Sequence, residues 1–261
     1  MKGIIPCFHE LQHFLDLCYL AIGANDVDAQ AALARHFWEN GQNDPAKIVF
    51  EGLEKLARQG YTPMRTDAQF LLAKCYEKGY GVGKSDTAAI RWYNAAGDNI
   101  LFDLPIYRRR DGGKIEEILD QMERGEITPE QLKNLTEAAE RGDQDMQKCL
   151  LYAYWPLTGP FEWDEEKWVY WVNRLAENGD AEAMEGLGDT YYYGRVGKRN
   201  VEKALVWLEK AANQGKWYSA HLLGSHYRSR KRVDLALKWY RTYAELRIKL
   251  RNDEIRNSIK R

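Results

Sequence analysis

The sequence has no apolar run of the roughly 18 residues that a membrane-spanning helix needs, so no segment is expected to cross a bilayer. It has almost no net charge. Lys and Arg number 38 against 39 Asp and Glu, a balance of −1, whereas a general nucleic-acid binder shows a basic excess. Cysteine is sparse: Cys7, Cys18, Cys75 and Cys149 follow no repeated spacing. That suits reduced, mostly buried thiols better than a disulfide frame. Histidine is equally sparse, and His36, His221 and His226 fall at unrelated positions, so no Ser/His/Asp order or other catalytic set emerges. The N-terminus has Lys2, but the apolar stretch behind it is broken by His9, Glu10 and His13, which is not the pattern of a signal peptide. The expected location is the cytosol. The two basic runs, Arg108-Arg109-Arg110 and the tail from Arg247 to Arg261, read as solvated surface.

What the chain does have is internal repetition. In the segment from Asp67, Ala68, Leu72, Tyr76 and Gly79 are matched by Ala183, Leu187, Tyr191 and Gly194 in the segment from Glu182. The match continues without a gap, as Ala89, Trp92 and Ala96 pair with Ala204, Trp207 and Ala211. Every pair is 115 positions apart, three units of about 38 residues. Weaker copies centre on Leu33, Leu150 and Leu223. The spacings between successive central leucines, 39, 78, 37 and 36, leave room for one hidden unit in the middle of the chain.

Positions four apart share one face of a helix, so Ala, Leu and Tyr at that spacing form an apolar stripe with one small end. A neighbouring helix can approach closely there. A glycine then ends the helix in a left-handed conformation. The second helix carries Ala, Trp and Ala on its own stripe. Neither helix can bury its stripe alone, and stacking the pairs does so.

These motifs resemble the Sel-one-like repeat family, a relative of the tetratricopeptide repeat. The strongest match is AEAMEGLGDTYYYGRVGKRNVEKALVWLEKAANQG, residues 181–215, and the second is DAQFLLAKCYEKGYGVGKSDTAAIRWYNAAGD, residues 67–98. The resemblance covers most of residues 26–247. It implies an all-α, right-handed α/α superhelix (solenoid) of five to six helix pairs with terminal cap helices, acting as an adaptor or partner-binding protein. Each unit is then expected to contact mainly its neighbours. Some secreted, cysteine-rich members of the family staple each helix pair with a disulfide; this chain lacks that cysteine spacing.

The expected organisation is one domain over residues 1–261. A cap helix at 7–22 precedes units at about 26–63, 65–98, 114–142, 143–179, 180–215 and 216–247, and a cap or tail at 248–261 follows. The stretch ILFDLPIYRRRDGG, residues 100–113, fits no repeat position, and Pro105 with Gly112-Gly113 marks it as a loop. Behind it, residues 114–124 and 129–141 read as the two helices of the hidden unit, with Thr128 as N-cap and Pro129 in the first turn. WPLTGPFEWDEEKW, residues 155–168, is a second irregular stretch.

Two motifs suggest chemistry. His9, Glu10 and His13 have the spacing of a helical zinc site with a general base, which makes a metal-dependent hydrolase the alternative reading. Only eight residues precede His9, and the rest of the chain is committed to the repeat. Gly79 to Ser85 looks like a phosphate loop, but it is one residue short and no strand precedes it. The turn between paired helices accounts for those glycines. No cofactor is expected.

The aromatics carry more information: nine Trp and sixteen Tyr. Tyr76, Trp92, Tyr191, Trp207 and Trp239 fall on core stripes. The tetratricopeptide resemblance implies that positions two before, two after and five after each central leucine line a concave groove. That register yields the candidate partner-binding residues Trp38, Phe70, Tyr152, Trp155, Glu185, Asp189, Tyr192 and Arg228. The expected partner is one protein, bound by a monomer or weak dimer. The role is that of an adaptor, a regulator or an immunity-type partner neutralising a toxin-like protein.

Overall fold

The computed structural model describes residues 43–58, 63–98, 113–154, 160–162, 164–195 and 197–259, with a few residues between 32 and 40. The segment 7–22, the His9-Glu10-His13 motif, most of the 100–113 loop, Trp38 and Trp155 lie outside the described residues. Among the described residues all regular secondary structure is helical, in eleven helices. The fold class is all-α, of the paired-helix repeat type.

The chain forms two compact units, one made of residues up to 101 together with 220–261, the other of residues 102–219. The first contains α1 (Asn43–Arg58), α2 (Pro63–Lys78), α3 (Asp86–Asp98) and α11 (Val233–Ile259). The second contains α4 (Lys114–Glu123), α5 (Pro129–Glu140), α6 (Gln144–Ala153), α7 (Glu165–Glu177), α8 (Ala181–Tyr193) and α9 (Val201–Asn213). Helix α10 (Trp217–Ser229) begins in the second unit and belongs to the first from Ala220 onward.

Short polar residues start these helices. Thr128 closes a capping box with Gln131 at the head of α5, and Pro129 occupies the first turn. Asp143, Asp164, Asp180 and Asn200 each accept a backbone N–H at the start of α6, α7, α8 and α9. At the other end of α8, Gly194 takes φ 69°, the left-handed cap that glycine adopts without a Cβ penalty.

In the second unit consecutive helices pack in order, α5 on α6, α6 on α7, α7 on α8 and α8 on α9, with α4 also against α6. Leu150, Trp168, Trp171, Leu175 and Leu187 are buried in its larger core. Leu119, Met122, Cys149 and Ala153 form a smaller one. In the first unit α1 packs on α2 and α2 on α3 around Phe50, Leu53, Leu72 and Cys75. Buried glutamines three residues before the central leucine repeat one device. Gln69 Nε2 donates to the Ala57 carbonyl at 3.1 Å, and Gln147 Nε2 to that of Ala139 at 2.8 Å. Each brings a side-chain donor to a carbonyl near the end of the preceding helix, and at Ala139 it adds to the Gly142 N–H that also reaches that carbonyl at 3.0 Å.

Three findings depart from the expectations. First, α11 packs against α3, so neighbour-only contact does not hold in the first unit. Second, α11 runs 27 residues without a break, carrying the last repeat helix straight into the expected tail. Third, of the five aromatics placed on core stripes only Trp239 is fully buried. Tyr76, Trp92, Tyr191 and Trp207 are half-buried at the core edge. Cations cover the outer faces of three of them: Arg58 over Trp92, Lys203 over Tyr191 and Lys210 over Trp207.

Candidate functional site

The irregular stretch before α7 builds a recess in the second unit. The Phe161 N–H donates to the Ala153 carbonyl at 3.1 Å, which holds Phe161 at the end of α6. Its ring lies 5.3 Å from that of Tyr154. Phe161 and Tyr152 both pack at the edge of the core formed by Leu119, Met122, Cys149 and Ala153. The resulting cavity of about 360 Å³ is lined by Leu132, Tyr154, Phe161, Glu162, Asp164 and Lys167.

Its electrostatics follow from the start of α7. Asp164 accepts the Lys167 N–H at 3.0 Å, and its carboxylate also pairs with the Lys167 ammonium at 3.0 Å. The backbone N–H, then the ammonium, holds the Asp164 carboxyl below the usual range, and the carboxylate in turn raises Lys167. The Lys167 ammonium rests 4.8 Å from the Tyr154 ring centre, on one wall of the recess. Glu162, Glu165 and Glu166 are exposed around it.

Of the residues expected to bind a partner, Tyr152, Glu185, Asp189 and Tyr192 lie in the second unit. Glu185 and Asp189 are joined to the start of α10. The Glu185 carboxylate accepts from the Ser219 N–H at 3.1 Å and from the Ser219 hydroxyl at 2.8 Å. Burial pushes its carboxyl above the ordinary value, against the lowering effect of those bonds and of Lys216. Asp189 accepts from the Tyr218 hydroxyl at 3.0 Å and pairs with Arg195 at 2.8 Å. Burial and then the Asp189 charge push the Tyr218 phenol upward. Tyr192 is half-buried, with Tyr193 edge-on at 5.0 Å and the Arg199 guanidinium 5.6 Å from its ring.

Phe70 and Arg228 lie in the first unit. Phe70 meets Tyr93 edge-on at 5.4 Å, and the Lys74 ammonium sits 4.6 Å from its ring centre. Both line a cleft of about 570 Å³ between α2 and α11. Arg228 is exposed, with its guanidinium 5.4 Å from the Tyr240 ring.

The groove register does not single out Tyr154, Phe161 or Lys167. Tyr154 falls on the repeat stripe of the unit centred on Leu150, and the signal for Phe161 and Lys167 was the departure of residues 155–168 from the repeat, since an insertion on a rigid scaffold is where recognition resides. Among the described residues no cluster of three His, Cys, Asp or Glu side chains is placed to hold a metal ion. No described helix is long and apolar enough to cross a membrane.

The Sel1 repeat family model matches residues 66–99 and 181–216. A sel1-like repeat-containing protein of Acanthamoeba polyphaga mimivirus is 40% identical over 47 residues, 18% of this chain and 8% of its own length. The chain thus spans a small part of that curated relative. Among solved structures, a Sel1 repeat protein from Oxalobacter formigenes is 19% identical with a TM-score of 0.41, over 89% of this chain and 64% of the other. A protective antigen of uropathogenic Escherichia coli with an SLR fold is 22% identical with a TM-score of 0.42, over 86% of this chain and 47% of the other. The chain contains two matched Sel1 repeats, α2–α3 and α8–α9. Such repeats are in general protein–protein interaction modules.

Proposed function

We propose that this Sel1-repeat chain holds one protein partner, as an adaptor, a regulator or a neutralising partner of a toxin-like protein, and performs no chemistry of its own. The observation that carries the reading is the recess before α7. Its walls are apolar and aromatic at Leu132, Tyr154 and Phe161, and its rim is acidic at Glu162 and Asp164, with Glu165 and Glu166 following. That combination suits a partner whose apolar side chain is flanked by Lys or Arg. In this reading Trp155, Tyr192 and Tyr152 serve as further anchors for a partner that runs along the concave groove of the repeats. The cytosol suits the two described cysteines, Cys75 and Cys149, which are free and buried.

Isolation of the chain from its native host with its bound protein identifies the partner. Exchanging Glu162 and Glu166 for Lys should then slow association about tenfold and leave dissociation nearly unchanged, since rim charges act on encounter. An association rate indifferent to both the charge reversal and added salt overturns the reading.

A further inference from the structure

Helix α11 docks on the first matched repeat in a defined register. Arg241 pairs with Glu77, and Arg251 pairs with Asp67 at 2.9 Å. Rising numbers on α11 meet falling numbers on α2, so the two helices run antiparallel. On α3, the Tyr243 hydroxyl donates to Asp98 at 3.0 Å and Arg247 Nε to the Gly97 carbonyl at 3.3 Å. The hydrogen-bonded partners are separated by 145 to 184 positions in the chain. The α2–α3 face therefore recognises a specific helix: one with Arg241, Arg247 and Arg251 along a stripe, answering Glu77, the Gly97 carbonyl and Asp67.

The link that delivers α11 to this face is unlike the other turns between paired helices. The α2–α3 and α8–α9 turns, Gly79 to Ser85 and Gly194 to Asn200, open on a glycine, whereas α10 and α11 are joined only by Arg230, Lys231 and Arg232. From Ser225 to Ile259 there is neither glycine nor proline. Arg and Lys are good helix formers, so the link is compatible with one continuous helix. It folds back nonetheless, and Lys231 holds φ 58°, the one positive value at a non-glycine among the described residues. A short, strained link before an element docked on distant sequence is the arrangement that permits exchange between copies.

We propose that α11 exchanges between two copies of this chain. Residues 230–232 straighten, α10 runs into α11, and each α11 docks on the α2–α3 face of the other copy. The contacts of the closed chain re-form across the pair, including the bond between Ser225 and Tyr240. The open form thereby loses little except the strained link.

Chains of natural and heavy isotopic composition, unfolded and refolded together over a concentration series, test this. Lys74 and Glu245 line the same cleft between α2 and α11, and a carbodiimide joins lysine to glutamate without a spacer. The dimer fraction from size exclusion should contain Lys74–Glu245 links joining heavy to light chains, and the monomer fraction only links within one chain. Lys231→Gly, which accepts positive φ freely, should raise the dimer dissociation constant about tenfold. Deleting Arg230 to Arg232, which leaves too little chain to fold back, should lower it by at least as much. The proposal is overturned if the parent dimer carries only single-isotope links. It is equally overturned if parent and deletion variant, both helical by circular dichroism, stay monomeric throughout the series.

Discussion

A methyl group on Gly188 of α8 would lie 2.6 Å from Leu208 Cγ on α9. The two helices of the second matched repeat meet at a separation that only glycine allows. Gly188→Ala should therefore destabilise the chain by about 1–3 kcal/mol through overpacking, although alanine is the better helix former. Leu187 beside it is 1% exposed, and Leu187→Ala should cost about 2–5 kcal/mol. Urea unfolding of both variants measures this, and a near-neutral result at both positions would show the α8–α9 packing to be wrong.

Much of that packing was legible in the sequence. Ala183, Leu187 and Gly194 recur at the spacing of Ala68, Leu72 and Gly79, and helical periodicity converts the spacing directly into one buried stripe and one stop. Thr128 and Pro129 marked the start of α5 because a capping box is a local device. What stayed hidden depends on distant partners. Nothing local states that Arg241 meets Glu77 or that α11 covers α3. Register placed Glu185 and Asp189 on the first helix of their unit, but not the Ser219 and Tyr218 that cover them. Trp207 lay on the correct stripe, yet the sequence could not show Lys210 shielding its outer face.

Glu185 makes stability depend on pH. Burial raises its carboxyl in the folded chain, so the folded state binds that proton more tightly than the unfolded state does. Its contribution is favourable at low pH and is lost as pH rises through the raised value. Ser219 and Lys216 oppose the shift, and Glu182 adds to it. Glu185→Gln keeps an acceptor for Ser219 and removes the buried charge. The variant should unfold at a higher temperature than the parent at neutral pH, and the difference should shrink as pH falls toward 4, near the unperturbed glutamate value of about 4.3. A difference that grows on acidification would contradict the assignment.

Glu77 is only 8% exposed and accepts from the Tyr93 hydroxyl at 2.9 Å while pairing with Arg241. Lys78 reaches it less closely, at 3.4 Å. Removing Arg241 leaves a mostly buried carboxylate short of its strongest partner. Arg241→Met should thus cost more than the double change with Glu77→Gln, which removes the charge as well. A double-mutant cycle should return a coupling of about 1–3 kcal/mol. Simple additivity of the two changes would mean that α11 does not dock on α2 through this pair.

Cys75 and Cys149 should be chemically silent in the folded chain. Both are buried, and burial pushes each thiol up to about 12, which leaves almost no thiolate at neutral pH. Alkylation followed by peptide mapping should leave both unmodified in native buffer and label both in denaturant. Rapid native labelling of Cys149 would mean that the core beneath the recess opens readily, since Cys149 packs there with Leu119, Met122 and Ala153.

The aromatic anchors provide the closing test of partner binding. Phe161 forms one wall of the recess, and Tyr192 presents a half-buried ring in α8 held beside Arg199, whose Nε donates to the Tyr192 carbonyl at 2.8 Å. A central aromatic anchor typically contributes ~2–4 kcal/mol to an interface. Changing Trp155 and Tyr192 together to Ala should therefore weaken the partner complex at least tenfold, and Phe161→Ala should do so alone. Phe161 also packs against the core cluster of Leu119, Met122, Cys149 and Ala153, so its truncation should lower stability as well, whereas Tyr192→Ala should leave unfolding nearly unchanged. Calorimetric titration beside thermal unfolding separates the two effects. A partner that binds all three variants as tightly as the parent would place its contact elsewhere, because a recess that loses its aromatic wall cannot seat the same apolar side chain with undiminished affinity.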